Sequence, residues 1–363
     1  MWLRFGNDRR RPNKNIIHLG GKTMALRKYL STAAVALGVI VSNSAFAETV
    51  EEFYSGKTIN LYIGYSVGGG YDTYARMIAA HIGKHIPGNP TVVPNNMPGA
   101  GSLRLANWLY EAAPADGTAF GAIARAAPFE PLLKNQAANF KASEFNFIGN
   151  ANREYSLCAA NADSGVKNVE DLKSTELLVG GTGAASDPNI QANVLNEAIG
   201  SKMTIVDGYP GGNDIVLAME RGEVQGRCGW SWSTIKATKM DLVNDGKVNL
   251  LLQFSSSPHP ELLDIPLALD LTDDKAAKGL INFVVATQEM GRPYIAPPGV
   301  PEDRVEALRE AFAETMSDPE FLEAATAAGL EISPSSGAEL QAIVQSVYQT
   351  EESVLNKLIE LRK

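Results

Sequence analysis

The hydrophobic pattern becomes regular at Ile59. Ile59, Leu61, Ile63 and Tyr65 alternate with Asn60, Tyr62 and Gly64, the period-two spacing of a strand with one buried face. The loop Ser66-Val67-Gly68-Gly69-Gly70 follows, and Ala75, Ile78, Ala79, Ile82 and Ile86 then recur at helical spacing, with Asp72 as N-cap or first-turn acid. A second unit repeats the scheme: Thr91-Val92-Val93, a loop from Asn95 to Gly101, and a helix capped by Ser102 that buries Leu105, Trp108, Leu109 and Ala112. After the Asp116-Gly117 turn a third strand, 118–124, ends at Arg125. Three parallel strands joined by helices are predicted.

Around residues 145–160 the pattern changes to a long extended stretch, Phe145 to Ile148 and Tyr155 to Cys158, which marks a crossing between lobes. There the scheme restarts. Leu177-Leu178-Val179-Gly180 leads into Gly181-Thr182-Gly183-Ala184-Ala185-Ser186, and Pro188 behind Asp187 signals a helix start. Further strands are predicted over 203–206, 224–229 and 248–254, with the loop Tyr209-Pro210-Gly211-Gly212 and a helix from Asp214 to Arg221. Beyond the apolar run Ile281 to Val285 the chain reads as mainly helical, over 301–317, 319–328 and from Gly337 onward. The fold class is therefore α/β: two lobes of similar plan, each a mostly parallel sheet flanked by helices, with a helical tail.

Charge and the first residues change this picture most. The 363 residues correspond to two or three domains at about 100–200 residues each. Residues 1–47 hold eight Lys/Arg and a single acid, Asp8, so the overall −9 leaves −16 on residues 48–363. Such a body repels phosphate backbones, and no nucleic-acid partner is expected. Met24 to Ala47 has the form of a secretory signal: Arg27 and Lys28, an apolar run from Tyr29 to Val41 too short to cross a bilayer, and the small-x-small site Ala45-Phe46-Ala47. Residues 1–47 are thus expected to be a signal peptide with an over-extended start, and the product a soluble periplasmic protein beginning at Glu48. In that oxidising compartment Cys158 and Cys228, which lack metal-ligand spacing, are either bridged or buried as small apolar residues.

Several short motifs imitate catalytic ones. Gly64-Tyr65-Ser66-Val67-Gly68 has the form of a nucleophile elbow, which makes an exported serine hydrolase using Ser66 the competing reading. Only 16 residues separate Glu48 from Gly64, too few for the strands such a sheet needs, and His259 has no evident acid partner. Gly181 to Ser186 imitates a dinucleotide loop, with Asp207 placed as a ribose-binding acid. Export removes the nicotinamide pool, and no cofactor is expected. His81 and His85 stand at metal-ligand spacing without a Glu between them, on the face opposite Ala75, Ile78 and Ile82; they read as a polar face, and no metal site is expected. What survives is one Gly-rich loop per lobe at a helix N-terminus, where unpaired N–H groups and the positive end of the dipole form an anion site. Trp230, near a strand end, either packs in the core or stacks on a ligand.

Gly68-Gly69-Gly70-Tyr71-Asp72 followed by Arg76, Asn96 to Gly101, Ala115 to Thr118, Val179 to Gly183, Tyr209 to Gly212, Gly222-Glu223-Val224 and Ala296 to Pro301 occur in an order and spacing that are specific together. Through them nearly the whole mature chain resembles the extracytoplasmic solute receptors of the tripartite tricarboxylate transporters. The resemblance implies a periplasmic binding protein of Venus flytrap, type II-like plan that closes on a small organic acid without catalysis. Lobe 1 would comprise 48–150 and 280–363, and lobe 2 would comprise 151–279. The ligand carboxylate would be held by backbone amides of Ser66, Val67, Gly68, Gly69, Gly70, Tyr71 and Asp72 from one lobe. Gly181, Thr182, Gly183, Ala184, Ala185 and Ser186 would act from the other, with Tyr209 and Trp230 alongside. Arg125 is a candidate for a second carboxylate or polar group, or else a surface arginine paired with Glu130. In a family-like second lobe the strand with Cys158 lies antiparallel beside the strand with Cys228, which puts a disulfide within reach. The implied partners are the membrane subunits of a tripartite carboxylate transporter, or alternatively a sensor served by a receptor of the same fold; the receptor is expected to be monomeric. Asn95-Asn96 and Gln225 replace the family's usual Glu-Asn and Asp and leave the acid unidentified.

Overall fold

The computed structural model describes residues 48–362, so the signal peptide expected over 1–47 lies outside the described residues. A short helix α1 (Val50–Tyr54), closed by a Thr49/Glu52 capping box, leads into β1 (Thr58–Ile63), whose Ile59, Leu61 and Ile63 are fully buried. Through α2 (Gly70–Ile82) and α3 (Leu103–Glu111) the chain adds β2 (Thr91–Asn96) and β3 (Ala119–Ala122), both parallel to β1. β4 (Asn146–Asn150) belongs to the same sheet.

After β4 the chain crosses to a second sheet. It forms β5 (Ser156–Asn161), α4 (Val169–Ser174), β6 (Leu177–Gly180), α5 (Asp187–Ile199), β7 (Met203–Val206) and α6 (Gly212–Glu220). β8 (Gly226–Ser231), α7 (Trp232–Thr238), α8 (Met240–Asn244) and β9 (Val248–Phe254) complete that sheet, in the order β7-β6-β8-β5-β9. Helix α9 (Lys275–Gln288) returns the chain to the first sheet, which gains β10 (Pro293–Ala296) and, after α10 (Glu302–Ser317) and α11 (Pro319–Ala327), the two-residue β11 (Ser335–Ser336). Helices α12 (Gly337–Val347) and α13 (Glu352–Glu360) follow. The first sheet reads β11-β4-β10-β3-β1-β2. Both sheets are mixed: the pairs that carry the Gly-rich loops are parallel, while β10, β4 and β11 in one sheet and β5 and β9 in the other pair antiparallel. The result is a two-lobed α/β fold. No described helix is long and apolar enough to cross a membrane.

Four local details extend, settle or change what the sequence pattern predicts. The run Ile281 to Val285 lies inside α9, since a short apolar run has no periodicity that separates strand from helix. The tail, read as helical, also supplies β10 and β11. Ser102 stands before α3 but makes no side-chain cap; with φ at 77° its Oγ turns to accept the N–H of Ala124. Asp72 lies in the first turn of α2, behind the N-cap Gly69.

Cys158 in β5 and Cys228 in β8, neighbouring antiparallel strands, are joined by a disulfide and fully buried.

Candidate functional site

The carboxyl ends of β1 and β3 face those of β6 and β8 across a cavity of about 60 Å³, where an open α/β sheet exposes its crevice. The first lobe contributes Tyr65, Gly68 to Tyr71, Arg125 and Arg292. From the second come Thr182, Asp187, Gly212, Asn213, Arg227 and Gly229 to Ser231. Helices α2, α5 and α6 all begin here without a side-chain cap, behind Gly69, Ser186 and Gly211. Their first-turn N–H groups and dipoles favour negative charge.

The loops differ in what they leave free. The Gly68 N–H already donates to Asp72 Oδ2 at 2.9 Å, and Asp72 is held in turn by Arg76 and Asn96. In the second loop the N–H groups of Thr182 and Gly183 both donate to Asn189 Oδ1, and Ser186 N–H closes on Gly183 C=O. Only Thr182 from that loop reaches the cavity wall, with its hydroxyl buried and unpartnered. Gly181, Gly183, Ala184, Ala185 and Ser186 do not line it, nor do Ser66, Val67 and Asp72. Val67 points to solvent, and the Ser66 hydroxyl donates to the Asp214 carboxylate of α6. Tyr209 lies outside the cavity, in a groove with Pro98 to Ala100 and Gly183 to Ala185. Gly183 lets these lobes meet: at φ +123° its Cα packs where a Cβ would come within 2.9 Å of the Ala100 carbonyl carbon.

Three arginines dominate the interior. Arg125 is 2% exposed and ion-paired with Asp187 at the start of α5, and it also reaches Ser231. The alternative of a surface pair with Glu130 does not hold, because Glu130 is buried against Arg362 and Asn135. Burial works against the charge of Arg125, yet the Asp187 carboxylate, with Tyr71 and Glu154, holds its pKa above the ordinary value. Arg292, just before β10, is paired with the fully buried Glu154 at 2.9 Å and donates to Thr234 Oγ1 of α7 at 2.8 Å. Arg227, the second residue of β8, is different: it donates to the carbonyls of Gly212, Gly229 and Cys228 and, among the described residues, pairs with no carboxylate. Burial above all, with the nearby Arg125 and Arg292 guanidiniums working in the same direction, pulls its pKa down to about 9. Trp230 is both buried and lining, with the Arg227 guanidinium 5.3 Å from its ring centre.

Of the residues predicted from the sequence, Gly68 to Tyr71, Arg125, Thr182 and Trp230 line the cavity; Arg227, Arg292 and Asp187 line it without having been predicted, with Glu154 paired behind Arg292. One signal was present: an arginine in the interior of a strand that otherwise reads Gly, Cys, Gly, Trp has to be buried with a purpose. No histidine bonds Ser66 among the described residues; His259 contacts Glu331 instead.

The comparisons with known proteins agree with this architecture. A Cupriavidus necator protein, described as UPF0065 protein in gbd 5'region, is 24% identical over 341 residues, covering 92% of this chain and 96% of its own. The periplasmic binding protein BugD superposes with a TM-score of 0.67 at 20% identity, over 85% of this chain and 97% of that one. MatC from Rhodopseudomonas palustris with bound malate gives 0.64 at 18% identity, over 85% and 99% of the two chains. An R. palustris protein with adipate gives 0.65 at 19%, over 84% and 97%. The sequence model of the tripartite tricarboxylate transporter family receptor, TctC, matches residues 74–359. With that match running from within α2 through the second lobe to α13, well over half of the chain, the chain belongs to the tripartite tricarboxylate transporter receptor family.

Proposed function

We propose that this protein is a periplasmic solute receptor that closes two lobes on a small organic carboxylate and delivers it to the membrane subunits of a tripartite transporter. The observation that carries the reading is the inter-lobe cavity, where three uncapped helix N-termini meet a buried guanidinium with no carboxylate of its own. Organic acids in two family-like folds, malate in MatC and adipate in the R. palustris protein, support the same ligand class. Ligand is held from both sides: the first turn of α2 and Arg125 on one lobe, Thr182, the start of α6 and Arg227 on the other.

The lobes would hinge at two crossings. One is 151–155, between β4 and β5. The other would be 289–292 in place of 279/280, a reading supported by α9, which runs unbroken through 279/280 and packs on α5 and β9. Ser66 to Asp214 and Arg125 to Asp187 then act as clasps of the closed form. The receptor acts as a monomer and without catalysis, a reading supported by the Ser66 hydroxyl, which is spent on the Asp214 carboxylate of α6 and has no histidine bonded to it among the described residues.

A thermal-shift screen of mono-, di- and tricarboxylates tests the reading. Ligand at about 100 times its Kd adds roughly 2.7 kcal/mol, a shift of several degrees. Ester hydrolysis that disappears in Ser66→Ala, with no carboxylate shifting the melt, would replace the receptor by the hydrolase.

A further inference from the structure

Around the cavity the ionic side chains cancel in pairs. Arg125 has Asp187, Arg292 has Glu154, and Lys239 has Glu220 at 3.0 Å. Arg227 is left over. It is 5% exposed, and its Nη1, Nη2 and Nε each donate once, to backbone carbonyls 2.7, 3.2 and 3.4 Å away. A guanidinium carries five N–H donors, so two remain on a group that lines the cavity. A buried charge without a counter-ion is strongly unfavourable, and one anionic group arriving from solvent removes the penalty.

The same pairing limits how much negative charge the cavity accepts. After one carboxylate has neutralised Arg227, every other cation in the wall already faces its own carboxylate. A second anionic group would meet the Asp187 carboxylate with no free partner. Space acts in the same direction: about 60 Å³ leaves room for roughly four to six waters at about 10–15 Å³ for each centre. A neutral polar group does have a place, because Arg125 Nη1 is buried without a hydrogen-bond partner.

We propose that Arg227 is the counter-ion of the ligand, and that the cavity selects a short monocarboxylate whose second polar group is neutral and accepts a hydrogen bond from Arg125 Nη1. The inference rests on the carboxylate-receptor reading and adds the charge class of the solute. It sets this chain apart from a site with two free cationic anchors, which would favour dicarboxylates.

The test is calorimetry on the purified protein, stripped of bound solute by unfolding and refolding, with ligands matched except for the second charge. Lactate is compared with malate, and butanoate with succinate. The monocarboxylate of each pair is expected to bind at least tenfold more tightly, with lactate ahead of butanoate. Arg227→Met is expected to lose about a hundredfold for lactate, and Arg227→Lys, which keeps the charge without the fork, to lose less. Malate and succinate binding as tightly as their partners would overturn the single-charge selection while leaving the receptor reading in place. Binding of no carboxylate at all would remove both. Should Arg227→Met not fold, the wild-type pairs decide the matter by themselves.

Discussion

Gly70→Ala should separate folding from binding. Gly70 is the first residue of α2 and has no left-handed φ, so its backbone accepts a side chain, and alanine there favours the helix by up to about 1 kcal/mol. The obstacle is Thr234 across the cavity together with Arg292 on the same side. An added Cβ would overlap Thr234 Oγ1 of α7 and come within 2.7 Å of Arg292 Nη2. These two atoms are joined by a 2.8 Å hydrogen bond. Closing the lobes would therefore break a charge-assisted hydrogen bond worth about 1.5–3 kcal/mol and add overpacking of about 1–3 kcal/mol. At about 1.4 kcal/mol per tenfold, the affinity for ligand should fall by about two to four orders of magnitude. Within the first lobe only the flexible end of the Arg292 side chain has to shift, so the unliganded protein should melt close to the wild-type temperature. Gly69→Ala is the comparison: it also lines the cavity, but its Cβ would meet only Asn213 N at 3.7 Å and Gly212 N at 3.8 Å, ordinary contacts that leave closure possible, so its loss of affinity should be the smaller of the two. Calorimetry and thermal melting on the two variants give the answer. Equal affinity for Gly70→Ala and the wild type would mean that ligand binding does not require the closed arrangement of α2 against α7.

Removing the disulfide, as Cys158→Ala/Cys228→Ala, should lower unfolding stability by roughly 4 kcal/mol in the chain-entropy model for a 70-residue separation, read by guanidinium denaturation; two reactive thiols in the oxidised wild type would refute the bridge. Ligand affinity should be level from about pH 6 to pH 8 and fall as the pH rises through 9. Arg227 is the group responsible: the free protein loses its proton near that value, and the anion binds only the protonated guanidinium. A calorimetric profile level to well above pH 10 would put the anion on backbone donors alone. N-terminal sequencing of the exported protein should begin at Glu48; a product retaining Trp2 to Ala47 would remove the basis for periplasmic action.

The units that shape the cavity were legible because their signals are local. Alternation at Ile59 to Ile63, glycines at 68–70 and helical spacing from Ala75 describe β1, its loop and α2 without outside information. The charged interior was not legible, for a physical reason. Arg125 and Asp187 lie 62 residues apart and become partners only where the two lobes meet, while Arg292 and Glu154 lie 138 apart, one in each of the two crossings, so neither pair shows in a local pattern. Without those pairings, Arg227 cannot be recognised as the one left over. The second Gly loop misled in a different way: its composition suggests free N–H groups, but Asn189, one turn into α5, satisfies two of them. Gly183 serves contact between lobes instead of contact with ligand, a distinction carried by its φ and by Ala100 and invisible in the letters.

Where the ligand's charge sits is decided by a crystal structure of the protein with the tightest-binding acid of the screen. A carboxylate is expected within hydrogen-bond distance of the Arg227 guanidinium and of the first turn of α2, with the Arg125–Asp187 and Arg292–Glu154 pairs intact. A ligand seated outside this cavity, or inside it with its carboxylate away from Arg227, would contradict that placement.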